Sequence, residues 1–414
     1  MSEEPRRTAS TSPRAERVVS ALTQPFVRFV ELESSSSLLL LVATLGALGL
    51  ANSPWAAAYD HLLHLPVAGS IGVFRLELSL HHFVNDVLMS VFFFLVGMEI
   101  KRELVRGELS STGRAMLPVA GALGGMVAPA ALYAALHADG AALRGWGIPM
   151  ATDIAFAMAA LSIFGRRVAA PLQVFLLALA IVDDIGAVLV IAVFYTEQLA
   201  LPWLGAALLG LGAMHFLKRG GVASYGVYFV LGALVWYATY RSGVHATIAG
   251  VAIGLLTPAW PLRGHERSPI DDLEHRLHAW VANVIMPIFA FCNAGVTVDA
   301  SVVGDPLAMR VALAVALGLV VGKPIGVTAF GWLAVRMGVA ELPRGISWAQ
   351  VAAVGALAGI GFTVALFVAS LAFGESVLNA GAKLGVLGGS VLATLIGIVL
   401  LVRSLPSGID QESS

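Results

Sequence analysis

Charge is what this chain lacks most. Asp, Glu, Lys and Arg together make up 12% of its 414 residues, about half the roughly 25% of a globular chain. That deficit, beside 58% hydrophobic residues, excludes a string of soluble domains and puts nearly all the mass in a lipid bilayer. Cysteine is nearly absent too. Cys292 stands alone, which excludes an intramolecular disulfide. No Walker A motif and no metal-spaced Cys/His cluster occurs, so neither a nucleotide-driven machine nor a resident metal is expected. No cofactor, enzymatic chemistry or nucleic-acid partner is expected either. The polar N-terminal stretch has no apolar core leading to a small-residue cleavage site, so it does not read as a signal peptide.

What is present is long apolar sequence. A membrane span needs about 20 apolar residues, and twelve candidates are centred near Leu45, Phe92, Met126, Ala157, Val182, Leu209, Leu231, Gly250, Ile288, Leu319, Thr363 and Leu392. With both termini cytoplasmic, the basic residues outside the spans fall about four to one on the inner side, the bias that the positive-inside rule requires. The expected fold is an all-α polytopic membrane protein of twelve transmembrane helices in a single domain, 34–403. A polar cytoplasmic extension, 1–33, precedes it and a short cytoplasmic tail, 404–414, follows. That extension reads equally as a disordered tail or as carrying a short interfacial helix.

Two local patterns depart from simple spans. Between Gly72 and His81 apolar Phe74, Leu76, Leu78 and Leu80 alternate with polar Arg75, Glu77, Ser79 and His81. This is the period of a strand, and with a Gly69-Ser70 turn signal before it the stretch 65–81 is predicted to be an extramembrane β-hairpin. An isolated hairpin is marginal, so it is expected to pair, with a second copy of the chain as one candidate. The fourth and eleventh spans look broken, one at Gly147-Ile-Pro-Met-Ala-Thr-Asp153 and the other at Gly359-Ile-Gly361. Interrupted helices at matching places in two halves point to a transporter site at mid-bilayer. By layout, 115–196 and 310–403 are then the two inverted-topology repeats.

Four charged residues fall at membrane depth: Asp153, Asp183, Asp184 and Lys323. Each is costly there; a structural role, compensating a half-helix end or pairing with an aspartate, fits Asp153 and Lys323 at least as well as a direct one, but it does not cover the aspartate pair. One lysine cannot neutralise two adjacent carboxylates. Neighbours on a helix point about 100° apart, so one aspartate can face Lys323 while the other faces a water-filled cavity. Burial and a like-charged neighbour both favour the protonated form of such a carboxyl. It can then trade a proton for a small hard cation, which takes oxygen ligands. Thr152, Asp153 and freed carbonyls supply further oxygens, and Asp153 also suits the positive N-terminal ends of half-helices left by the break in the fourth span. A second polar set gathers near the inner face: Glu99 and Glu103, then Glu274, His275 and His278. Either a pH sensor or a solvated charge network fits it. Asp86 and His245 lie at outer span ends, and a lone histidine such as His245 is more often structural.

Nine stretches in order, among them Phe83-Val-Asn-Asp86, Val96-Gly-Met-Glu-Ile-Lys-Arg-Glu-Leu104, Ala151-Thr-Asp-Ile-Ala-Phe156, Ala178-Leu-Ala-Ile-Val-Asp-Asp-Ile-Gly186, Gly322-Lys-Pro-Ile-Gly326 and Gly359-Ile-Gly-Phe-Thr363, resemble the bacterial NhaA-type Na⁺/H⁺ antiporters. The resemblance runs from about Leu38 to Leu401. It implies an inner-membrane, electrogenic exchanger of Na⁺ or Li⁺ for more than one H⁺, with inverted repeats and crossed broken helices. It also implies Asp184 as the principal ion and proton site, Asp183 as a second essential carboxylate paired to Lys323, and Thr152, Asp153, Gly359 and Gly361 around them. Asp86, Glu99, Glu103, His245, Glu274, His275 and His278 would belong to the pH response, and the hairpin to a homodimer interface. Arg276 departs from the pattern, and as a fixed positive charge it is expected to favour ionised Glu274. The competing reading is a Na⁺-coupled solute symporter of similar architecture.

Overall fold

In the computed structural model, residues 36–71, 74–137, 140–196, 199–222, 224–261, 267–298 and 300–405 are described. The expected extension 1–33 and most of the tail 404–414 lie outside them. The described chain is largely helical, with one two-stranded antiparallel sheet.

Six helices are long and apolar enough to cross a membrane: Leu80–Arg106, Gly113–Leu136, Ala170–Phe194, Leu201–Arg219, Pro306–Arg336 and Val377–Ser404. Two bent pairs, Ser36–Ala51 with Ala56–Leu63 and Trp348–Ala358 with Phe362–Phe373, bring the number among the described residues to at most eight, if each pair is one span. Where the sequence predicts the remaining spans, the helices are short or interrupted. Tyr225–Arg241 has 17 residues and Ala246–Leu256 has 11. The fourth predicted span is a 3-10 segment, Ala141–Met150, then three extended residues, then Ile154–Ser162. The ninth is divided into Pro269–Trp280, a π-turn Val281–Ile285 and Met286–Asn293. The eleventh, one of the two bent pairs, bends by 48° between Trp348–Ala358 and Phe362–Phe373. Pro149 and the Gly359/Gly361 pair supply the physical reason, since both residue types weaken a helix.

The strands Pro66–Ile71 and Phe74–Ser79 pair from Pro66↔Ser79 to Ile71↔Phe74. This corrects the sequence reading at two points. Gly69 and Ser70 lie inside the first strand, opposite Leu76 and Arg75, rather than in the turn. The second strand stops at Ser79, because the Ser79 hydroxyl accepts the His82 N–H and starts the next helix at Leu80, a serine N-cap. His81 is therefore helical. The hairpin runs directly into the Leu80–Arg106 helix.

Glycine permits the closest packing. A Cβ on Gly124 would stand 2.1 Å from the Gly326 carbonyl oxygen, and one on Gly326 equally near that of Gly124. The helices Gly113–Leu136 and Pro306–Arg336 therefore touch backbone to backbone, as small residues allow in a bilayer. Two apolar cores flank the breaks. One, with Met98, Leu176 and Val351, lies toward the Arg106 end of the molecule; the other, with Tyr133, Phe289 and Phe367, lies toward the hairpin.

Candidate functional site

The two breaks meet, and each supplies what the other's helix ends lack. A broken helix leaves N–H groups unpaired at one new end and carbonyls at the other. Asp153 answers the N–H groups of both halves. Its Oδ1 accepts the Phe156 N–H at 3.2 Å, capping Ile154–Ser162. Its Oδ2 accepts the Thr363 N–H at 3.1 Å and the Thr363 hydroxyl, at the start of Phe362–Phe373. The carbonyl ends are met by donors. Lys323 Nζ donates to the carbonyl of Met150, the last residue of the 3-10 segment. The Thr152 hydroxyl lies 2.8 Å from the Ala358 carbonyl, and the Asp153 N–H donates to Ile360 at 2.6 Å. Gly359 is needed at this crossing, since a Cβ there would fall 2.3 Å from the Leu319 carbonyl. Gly361 has somewhat more room, a Cβ there standing 2.9 Å from Ala365 and 3.0 Å from the Leu319 side chain.

Asp183 and Asp184 both project from Ala170–Phe194 and both are buried, yet their surroundings differ. Asp183 Oδ2 accepts from Lys323 Nζ at 2.7 Å and lies 2.7 Å from the Thr152 hydroxyl. Asp183 Oδ1 has no hydrogen-bond partner among the described residues. Asp184 instead lines a cavity of about 420 Å³, shared with Thr152, Asp153, Glu99, Arg102 and His278. No side-chain hydrogen bond to Asp184 exists among the described residues. The cavity thus descends from the Arg102 end of the Leu80–Arg106 helix and has a carboxylate on its floor.

At its mouth the structure brings together only part of the predicted inner set. Glu99, Glu103 and His278 line the wall, and Glu103 accepts the Glu108 N–H at 3.0 Å. Glu274 is buried and ion-paired with Arg102. It sits on the amphipathic helix Pro269–Trp280, outside the helices apolar enough to cross a membrane. Burial pushes the Glu274 carboxyl up to about 7, against the pull of the Arg102 guanidinium. Burial and Arg102 both lower His278. His275 is exposed and does not line the cavity. Asp86 and His245 lie elsewhere. Asp86 is on the π-turn Val84–Leu88, its carbonyl accepting from Ser90 and Trp236. His245 precedes Ala246–Leu256, its ring 6.3 Å from that of Phe367.

Arg276 requires a correction. Its guanidinium pairs with Asp272 at 3.2 Å on the exposed face, so it is not the fixed charge beside Glu274. Arg102 is. Sequence reasoning assigned no role to Arg102 or to Thr363, although both lie within the matched stretches Val96–Leu104 and Gly359–Thr363. Nothing local marked their partners, which lie 172 and 210 residues away.

Crossed helix breaks stitched by buried charges, with one carboxylate open to a cavity, define a membrane transporter of small ions rather than an enzyme. The chain belongs to the family described as Na⁺/H⁺ antiporter 1, whose profile matches residues 27–401. The Na(+)/H(+) antiporter NhaA of Rhodopirellula baltica is 45% identical, covering 94% of this chain and 96% of that one. The protein of the same name from Pectobacterium carotovorum is 46% identical over 92% and 96%. Na(+)/H(+) antiporter NhaA 2 of Sorangium cellulosum is 44% identical over 95% and 93%.

Proposed function

We propose that this protein exchanges Na⁺, and with it Li⁺, for H⁺ by alternating access, with both ions competing for Asp184. One observation carries the reading. Of two adjacent buried aspartates, Asp183 is tied to Lys323 and Thr152, whereas Asp184 meets the cavity with no side-chain hydrogen bond among the described residues. A carboxylate so placed must be neutralised by a proton or a hard cation. Thr152 and Asp153 beside it supply further oxygens. Asp153 and Lys323 balance the half-helix ends, and Gly359 and Gly361 permit their close crossing. The Asp183–Lys323 pair carries the additional proton that makes the exchange electrogenic.

The surrounding architecture belongs to the same reading. Twelve spans run in the inner membrane of a bacterium with both termini cytoplasmic, and 115–196 and 310–403 form inverted repeats. The Arg102 end of the cavity then faces the cytoplasm. Glu99, Glu103, Glu274 and His278 set its response to pH, and the hairpin joins two copies outside the membrane.

The test is Na⁺-dependent dissipation of a pH gradient in vesicles. Asp184→Asn abolishes it, while the wild type responds to Na⁺ and Li⁺ between about pH 6 and 9, the span over which buried carboxyls and histidines titrate. Full exchange by Asp184→Asn would refute the shared site.

A further inference from the structure

Alternating access requires a barrier on each side of the ion, and the cavity leaves one side open. On the other side, between Asp184 and the hairpin, three helices close on one another in two layers. The first layer is aromatic. Phe367, fully buried on Phe362–Phe373, lies 5.6 Å from the Phe93 ring, 6.2 Å from Phe289 and 6.3 Å from His245. The second is a clasp of amides. Asn293 Nδ2 donates to Asn85 Oδ1 at 2.8 Å, and Asn85 Nδ2 donates back to Asn293 Oδ1 at 3.4 Å. The same Asn293 oxygen accepts from Ser370 at 3.4 Å and lies 3.2 Å from His81 Nε2. Asn293 is completely buried.

Order along each helix places these layers in sequence outward from the ion. On Phe362–Phe373, Thr363 binds Asp153, Phe367 follows one turn on and Ser370 two turns on, so all three share one face. The Leu80–Arg106 helix and the helical stretch 269–293 are joined at both ends. Arg102–Glu274 ties them at the open mouth and Asn85–Asn293 at the closed one. The ties stand about 25 Å apart along the first helix. The cavity occupies the space between the first tie and the aromatic layer.

We propose that Phe367 with its ring neighbours and the Asn85–Asn293 clasp are the closed outer gate, and that Na⁺ leaves between these three helices when the clasp parts. This rests on the antiport reading. Polar side chains are expensive in apolar surroundings. An amide pair that can exchange its partner for water suits a contact that must open and close better than a purely apolar seam, which resists wetting.

The native chain holds its own reporter, since its single cysteine, Cys292, is buried beside Asn293. The rate of Cys292 labelling by a membrane-impermeant maleimide, applied separately to each face of sealed vesicles, reads the gate. Loss of the clasp in Asn293→Ala or Asn85→Ala raises labelling from the hairpin face about three- to tenfold, the worth of one interhelical hydrogen bond in a membrane. Labelling from the opposite face is unchanged. Hairpin-face rates at the wild-type value in both variants would overturn the gate, as would equal acceleration from both faces, which reports loosened packing. Wild-type vesicles that label slowly but exchange no Na⁺ for H⁺ would instead overturn the antiport reading.

Discussion

Thr363 gives Asp153 two hydrogen bonds at once, one from its backbone N–H and one from its hydroxyl. The pair closes the crossing of two half-helices that lie 210 residues apart in the chain. Removing the hydroxyl while keeping the volume isolates its contribution. Thr363→Val is expected to cost about 1.5–3 kcal/mol, the worth of a hydrogen bond to a charged group, read as a lowered thermal transition in detergent. Thr363→Ser should retain most of the stability. Equal stability of the Val variant and the wild type would show that the hydroxyl bond is dispensable.

Lys323 and Asp183 form an ion pair at 2.7 Å with both side chains completely buried. Breaking such a pair is costly because it leaves an uncompensated charge, about 3–5 kcal/mol, whereas replacing both members is often close to neutral. Lys323→Met alone should therefore be strongly destabilised. The double variant Lys323→Met/Asp183→Asn should recover most of the loss while exchanging ions poorly. A double-mutant cycle on thermal unfolding measures the coupling. Additive single effects would mean that the two residues do not depend on each other.

Glu274 has its carboxyl pushed up to about 7 by burial, with Arg102 opposing and Glu99 and Asp271 adding to the rise. Below about pH 6 it is neutral, and above about pH 8 it is ionised and held by Arg102. Glutamine imitates the neutral form. Glu274→Gln should thus match the wild type at pH 6 and depart from it at pH 8, where wild-type exchange has gained the charged pair. Exchange rates across this range provide the measurement. Parallel wild-type and variant profiles would remove Glu274 from the pH response.

The contrast between legible and hidden features follows from distance along the chain. Both breaks could be read locally, because Pro149, Gly359 and Gly361 disfavour helix wherever they stand. The unequal fates of Asp183 and Asp184 followed from the 100° between helical neighbours. What joins the breaks was not readable, since the partners that Asp153 and Thr152 find across the crossing, Ala358, Ile360 and Thr363, lie some 200 residues on. The hairpin's turn was misplaced because glycine and serine signal a turn in most contexts, and here they sit in a strand. Arg276 was misjudged although Asp272, four residues earlier, is a spacing that favours pairing on a helix.

The mutual capping of the two breaks also bears on how the protein is made. Residues 150–153 leave the ribosome some 200 residues ahead of Ala358, Ile360 and Thr363, the groups that satisfy them or are satisfied by them. In lipid every polar backbone group must find a partner. The first interrupted segment can therefore settle only after the chain has been synthesised past Thr363, and until then its unpaired groups must be kept wet or chaperoned. The bonds that join the two crossed breaks are thus among the last that this molecule can make.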